Sequence, residues 1–185
     1  MAASPALRSL TLAGLAAAVL AGGLYAFGTQ HTPDYSISLF GQSGQDTLSL
    51  KSWLATGVLA FAVVQVGLAL WMYGRLPWIR IAPPQVGPVH RAFGVAAILL
   101  TIPIAYHCAF AYGVQTKVDT RIAVHSIAGC FLYGAFVAKV TLVRSPRWRL
   151  PSWALPVLGG TLVATVAVLW YTSALWFFND FKLPL

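Results

Sequence analysis

The sequence predicts an all-α, polytopic membrane protein: five transmembrane helices in an up-down bundle. Three observations carry this. Of its 185 residues 58% are hydrophobic and only 9% charged, too few charges to coat a soluble domain of this size. Apolar runs of about 20 residues recur, the length that crosses roughly 30 Å of hydrocarbon. The charges are also sided. If five spans alternate, Arg8, Arg75, Arg80, Arg91, Arg144, Arg147 and Arg149 share one face with no acid among them. Lys51, Lys117, Arg121 and Lys182 share the other with Asp34, Asp46, Asp119 and Asp180. Basic short loops mark the cytoplasmic side, so the N-terminus is expected inside and the C-terminus outside. The net charge of +8 is thus sidedness and not a nucleic-acid footprint.

The first run, Leu10–Phe27, has a longer apolar core than a secretory signal and is read as a retained span. The segment Gly28–Leu50 is the one long outer loop. In it Tyr35–Phe40 alternates and predicts a short extended piece, with Asp46 or Thr47 capping the next helix. The second span is Trp53–Tyr73. The proline-dense stretch Gly74–Pro88 excludes a continuing helix and gives a stiff inner crossing. The third and fourth spans, Ala92–Tyr112 and Ile122–Val143, are joined by a short polar loop, which predicts antiparallel neighbours. The inner turn Arg144–Pro151 leads into the fifth span, Trp153–Phe178. Spans two to five form the four-helix core, with the first at its edge, in a single domain over 1–185. Trp53, Trp78, Trp148, Trp153 and Trp176 fall near the interfaces as anchors. Lys139 snorkels to the inner face. Cys108 and Cys130 show no ligand spacing and read as packing residues.

Ionisable groups inside a bilayer are costly and read first as functional. There are four histidines: His31, His90, His107 and His125. His31 falls in the outer loop and reads as solvated, and His90 as an interfacial residue beside Arg91. His107 and His125 fall in successive spans, about 8 Å and about 10 Å from mid-membrane toward the same face. A bare metal ion would recruit carboxylates or further ligands, and the chain has no Glu and no intramembrane Asp. A haem iron needs two axial ligands only. Gly129, four residues after His125, leaves room on the same helix face, and Pro103, four before His107, can splay the helices. Arg121, four before His125, and Lys117 are the expected partners of haem carboxylates, with Tyr106 and Tyr112 as further donors.

On His107, His125 and the Gly and Arg around them, the chain resembles small membrane b-type cytochromes. That is the class of bis-histidine haem bundles including cytochrome b561 and the membrane anchors of respiratory oxidoreductases. The likeness is architectural and covers the third and fourth spans. Two-haem members place four histidines on four helices; here one pair is placed, which implies one haem. The expectation is a membrane electron-transfer subunit with one haem b near the outer face, exchanging electrons with a quinone or with other membrane or extracytoplasmic redox subunits. It would sit in a bacterial cytoplasmic membrane and carry no catalytic chemistry of its own. The rival is a cofactor-free structural or accessory subunit of a larger membrane complex, whose histidines make interhelical hydrogen bonds. A transporter would show intramembrane acids or broken-helix repeats, which this sequence lacks.

Overall fold

The computed structural model describes residues 4–79, 81–145 and 150–183. Arg80, Arg147, Trp148 and Arg149, used above for sidedness and anchoring, lie outside the described residues. Five helices are long and apolar enough to cross a membrane: α1 (Pro5–Gln30), α2 (Gly44–Met72), α3 (Val86–Tyr112), α4 (Thr120–Arg144) and α5 (Ala154–Phe178). The chain is therefore a multi-pass, all-helical membrane protein.

Local chemistry sets the ends. The Ser4 side chain accepts from the Leu7 N–H, and Pro5 supplies a helical φ at the first position of α1. Asp119 caps α4 by accepting from the Arg121 N–H. α3 begins at Val86, so Pro88 falls in its first turn, where no N–H partner is lost. Within the spans, threonine hydroxyls donate to carbonyls one turn back, as Thr56 does to Ser52 and Thr161 to Val157. Lipid offers them no other acceptor.

Two expectations about the loops are corrected. α2 starts at Gly44, after an extended Ser43, so Asp46 lies in its first turn and Thr47 inside it; neither is the cap. Residues Tyr35–Phe40 form no strand. Leu39 and Gln42 exchange backbone hydrogen bonds around a tight turn in which Phe40 and Gly41 take positive φ. In the same loop Asp34 accepts from the Ser36 O–H and N–H, which holds its carboxyl below the usual carboxylate range.

The packing order also departs from the chain order. α2 packs on α3 and α5, α5 on α4, and α4 on α1, giving an arc α3–α2–α5–α4–α1. α3 and α4, joined by a short loop, were expected as packed neighbours and are held apart. The arc closes at one end, the capped end, where the Val114 N–H donates to Gly28 O and Phe27 meets Phe110 edge-on. Gly113 ends α3 with a positive φ and lies so near Gly28 O that a Cβ there would stand 2.7 Å away.

The α1–α4 contact is made by small residues. Ala13, Ala17 and Ala21 recur every four residues and meet Gly134 and Ala138. In lipid such contacts rest on close backbone approach and van der Waals packing. A Cβ on Gly134 would stand 2.7 Å from Ala17 O and 2.9 Å from Ala21 Cβ. Gly134→Ala is therefore expected to cost about 1–3 kcal/mol, read as a lower thermal midpoint in detergent. Gly14→Ala, with open space around the new methyl, is the matched control and should stay within about 0.5 kcal/mol of the parent.

Candidate functional site

A cavity of about 170 Å³ lies inside the arc toward the capped end, with all five helices on its wall. It occupies the space that the separation of α3 and α4 leaves. α3 contributes Thr101, Ala105 and Cys108; α4 contributes His125, Gly129 and Tyr133; α5 contributes Trp170 and Ser173. The lining is mostly apolar, with a few polar groups, as ligand chambers commonly are.

Two helices change their winding beside it. Cys108–Tyr112 of α3 and Tyr171–Leu175 of α5 are π turns, a feature often found at functional sites. Carbonyls in these turns take side-chain donors. His31 Nε2–H donates to Phe110 O at 2.9 Å, and an Arg121 N–H donates to Thr172 O at 2.8 Å. His31, read from sequence as solvated, is thus half-buried and stacked on Phe27.

The hydrogen-bond partners fix both histidine tautomers. Thr172 Oγ1 gives its hydrogen to Val168 O at 2.7 Å. Toward His125 Nδ1, 2.9 Å away, it can therefore only accept. His125 carries its proton on Nδ1, and the lone pair is left on Nε2. The Leu169 carbonyl also lies within hydrogen-bond reach of the His125 ring. His107 is the opposite case. Its Nε2 lies 3.0 Å from Ile37 O, an acceptor, and its Nδ1 lies 3.4 Å from Lys51 Nζ, a donor. The proton sits on Nε2, and the lone pair on Nδ1 faces the lysine.

His107 is therefore buried but absent from the chamber wall: it faces α2 and the loop, in edge contact with Tyr112. The structure does not bring His107 and His125 to opposite sides of one space. The chamber also resembles in size a cavity of about 150 Å³ that holds one benzene ring. As placed, these residues do not fit a bis-histidine macrocycle. Among the described residues no three His, Cys, Asp or Glu side chains gather to hold a bare metal ion.

The other expected site residues divide. Gly129 lines the chamber, and a Cβ on it would meet open space. Arg121 is committed: besides Thr172 O it stacks 3.8 Å over Trp176 and pairs with Asp119 at 3.7 Å. Lys117 is exposed in the α3–α4 loop. At the opposite end of the bundle, His90 accepts a hydrogen bond from Gln65 Nε2 on its carbonyl, and its buried Nδ1 has no partner among the described residues.

Sequence reasoning missed three residues. Thr172 orients His125; its signal was a threonine inside an apolar run, which hydropathy treats as neutral. Tyr133 donates to Thr101 Oγ1 at 2.9 Å, bridging α4 to α3 across the chamber. Lys51 was counted as a loop charge, yet it is buried, 9% exposed, with its ammonium 4.5 Å above the Tyr112 ring. Cys108 and Cys130, read as packing residues, are free thiols on the chamber wall.

His107→Ala would leave the Ile37 carbonyl and the Lys51 ammonium unpaired under the loop. We expect a loss of about 1–3 kcal/mol, seen in the unfolding midpoint, with His31→Ala as the comparison at the neighbouring carbonyl. No curated protein and no solved structure matches the sequence. One family model matches residues 10–185, nearly the whole chain, and the protein belongs to that family, DUF6529, a family of unknown function.

Proposed function

We propose that this protein is a membrane electron-transfer subunit whose chamber receives the ring of a quinol. It sits in a bacterial cytoplasmic membrane, with the N-terminus inside and the chamber toward the outer face. The observation that supports this reading is the tautomer of His125: a lone pair on the wall of an apolar space sized for one six-membered ring. The polar groups nearby agree in kind. Ser173 Oγ donates to Leu169 O, Tyr133 Oη to Thr101, and Thr101 Oγ1 to Ile98 O, so their hydrogens are spent. These three oxygens and His125 Nε2 offer acceptors to the chamber. A ligand that brings its own O–H donors suits it, and a quinol has two.

When bound, a quinol supplies two electrons and two protons on oxidation. This chain's part is to orient the ring and receive a hydroxyl hydrogen at His125 Nε2. The Nδ1–H bond to Thr172 fixes the ring plane, as a partner on the far nitrogen does for working histidines elsewhere. Trp170, held by its indole N–H to Thr56 Oγ1 at 3.0 Å, walls the chamber and excludes water. Other membrane or extracytoplasmic redox subunits would take the two electrons, and the second proton would leave to the outer aqueous side.

Haem b on His107 and His125 is the second reading, favoured by their nearby depth on two helices that are held apart. It requires His107 to leave both Lys51 and Ile37. One preparation separates the readings. Protein purified from native membranes is extracted for quinones and its visible spectrum recorded. The quinol reading expects co-extracted quinone, no Soret band, and hydroquinone binding seen by fluorescence quenching. His125→Phe should weaken that binding about tenfold, the worth of one hydrogen bond, and Gly129→Leu should abolish it by filling the space. A Soret band lost in both His107→Ala and His125→Ala would install the haem reading instead. Neither band nor quinone would leave a cofactor-free accessory subunit.

A further inference from the structure

The chain has four acidic residues, Asp34, Asp46, Asp119 and Asp180, and all four are exposed. Lys51 is buried in α2 with none of them beside it; the one ion pair among the described residues is Arg121–Asp119. A buried ammonium without a counter-charge is costly, and such groups are normally paired. Its neighbours, His107 Nδ1, the face of Tyr112 and the thiol of Cys108, carry no formal charge in their neutral forms. His107 takes one of the three Nζ hydrogens, and no acceptor for the other two is seen among the described residues.

A second anomaly lies one helical turn away. Thr47 is 1% exposed, and its Oγ1 has no hydrogen-bond partner among the described residues. The threonines deeper in the spans donate to a carbonyl three or four residues back, and Thr47 does not. Thr47 and Lys51 are four apart on α2 and share a face, with about 5–6 Å between their Cβ atoms. The loop closes over this end of the bundle. Ile37 O takes His107, and Leu39 is buried. The first turn of α2 has no side-chain cap, so its N–H groups add positive potential there. Asp46, next in the chain, points its charge into solvent and does not neutralise the site.

We propose that a small inorganic anion binds beneath the 37–39 segment, held by Lys51 Nζ and Thr47 Oγ1. Each missing partner is then supplied by one ligand. The hydroxyl gains an acceptor, the ammonium a counter-charge, and His107 keeps its neutral tautomer. Water would satisfy the hydroxyl and leave the charge unanswered. The burial of Thr47 and Leu39 excludes a bulky carboxylate or a lipid phosphate, which makes chloride the suitable probe. This site is separate from the chamber, and its proof or failure leaves the quinol reading where it stands.

The test is thermal unfolding of the purified full chain at fixed ionic strength and pH, with chloride exchanged stepwise for gluconate. The expected result is a saturable rise in midpoint with chloride, following ligand linkage, and broadening of the chloride nuclear resonance that gluconate does not mimic. Lys51→Met should abolish both effects, and Thr47→Val should raise the half-saturating chloride several-fold. Lys51→Arg should retain them. An unchanged midpoint across the exchange together with an unbroadened resonance overturns the proposal, and so does a chloride effect that survives in Lys51→Met. If Lys51→Met does not fold, the exchange and the resonance on the parent protein decide alone.

Discussion

Hydrocarbon supplies no hydrogen bonds, and that constraint governs the capped end of this bundle. A polar atom placed there draws its partner from the protein or from a bound ligand, since lipid offers none. Two imidazoles of the same chemistry consequently end in opposite states. His125 meets a hydroxyl whose own hydrogen is spent, so it must donate from Nδ1. His107 meets a lysine, which can only donate, so it must accept there. One histidine keeps a lone pair for something else and the other does not. The difference between the two tautomers is thus set by Thr172 and Lys51, each a single neighbour on another helix.

The backbone answers to the same constraint. A π turn displaces the residues beyond it and leaves carbonyls poorly served by their own helix. Both π turns here lie beside the chamber, and in each a charged or aromatic side chain comes to the exposed carbonyl. These bonds join α1 to α3 and α4 to α5, so the irregular turns also fasten the arc. α3 and α4 need not touch along their length, because α2, α5 and α1 hold each in place from its other side. That arrangement makes room for a chamber without a broken helix.

Much of the architecture was legible because hydropathy and loop charge are additive along a chain. All five spans appear near their expected places, and the fourth is shifted by only two residues at its start. α2 shows where such reading stops. Gln45, Asp46, Thr47 and Lys51 interrupt the apolar run, so the span was expected to begin at Trp53. Helix geometry does not require apolar residues, and a folded loop can bury polar ones. The neighbour rule failed for α3 and α4 for a related reason. A short loop fixes the distance between two helix ends, and it does not fix what fills the space farther along. Equal depth was likewise the only information the sequence held about His107 and His125. The direction of each ring depends on helix phase and on its neighbours on other helices, which depth does not fix.

The separation of the two histidines also bears on how charge is distributed. Arg121 looked like a carboxylate partner because it stands one turn from His125, yet its guanidinium is already occupied by a carbonyl, an indole face and Asp119. Lys51 has no such set of partners. Of the two cations, the one that resembles a ligand contact in sequence is structurally satisfied, and the one that resembles a loop charge is not. Buried charge is expensive in proportion to what it lacks. The unsatisfied cation, not the well-placed one, is therefore where this fold most needs a group that the polypeptide does not provide.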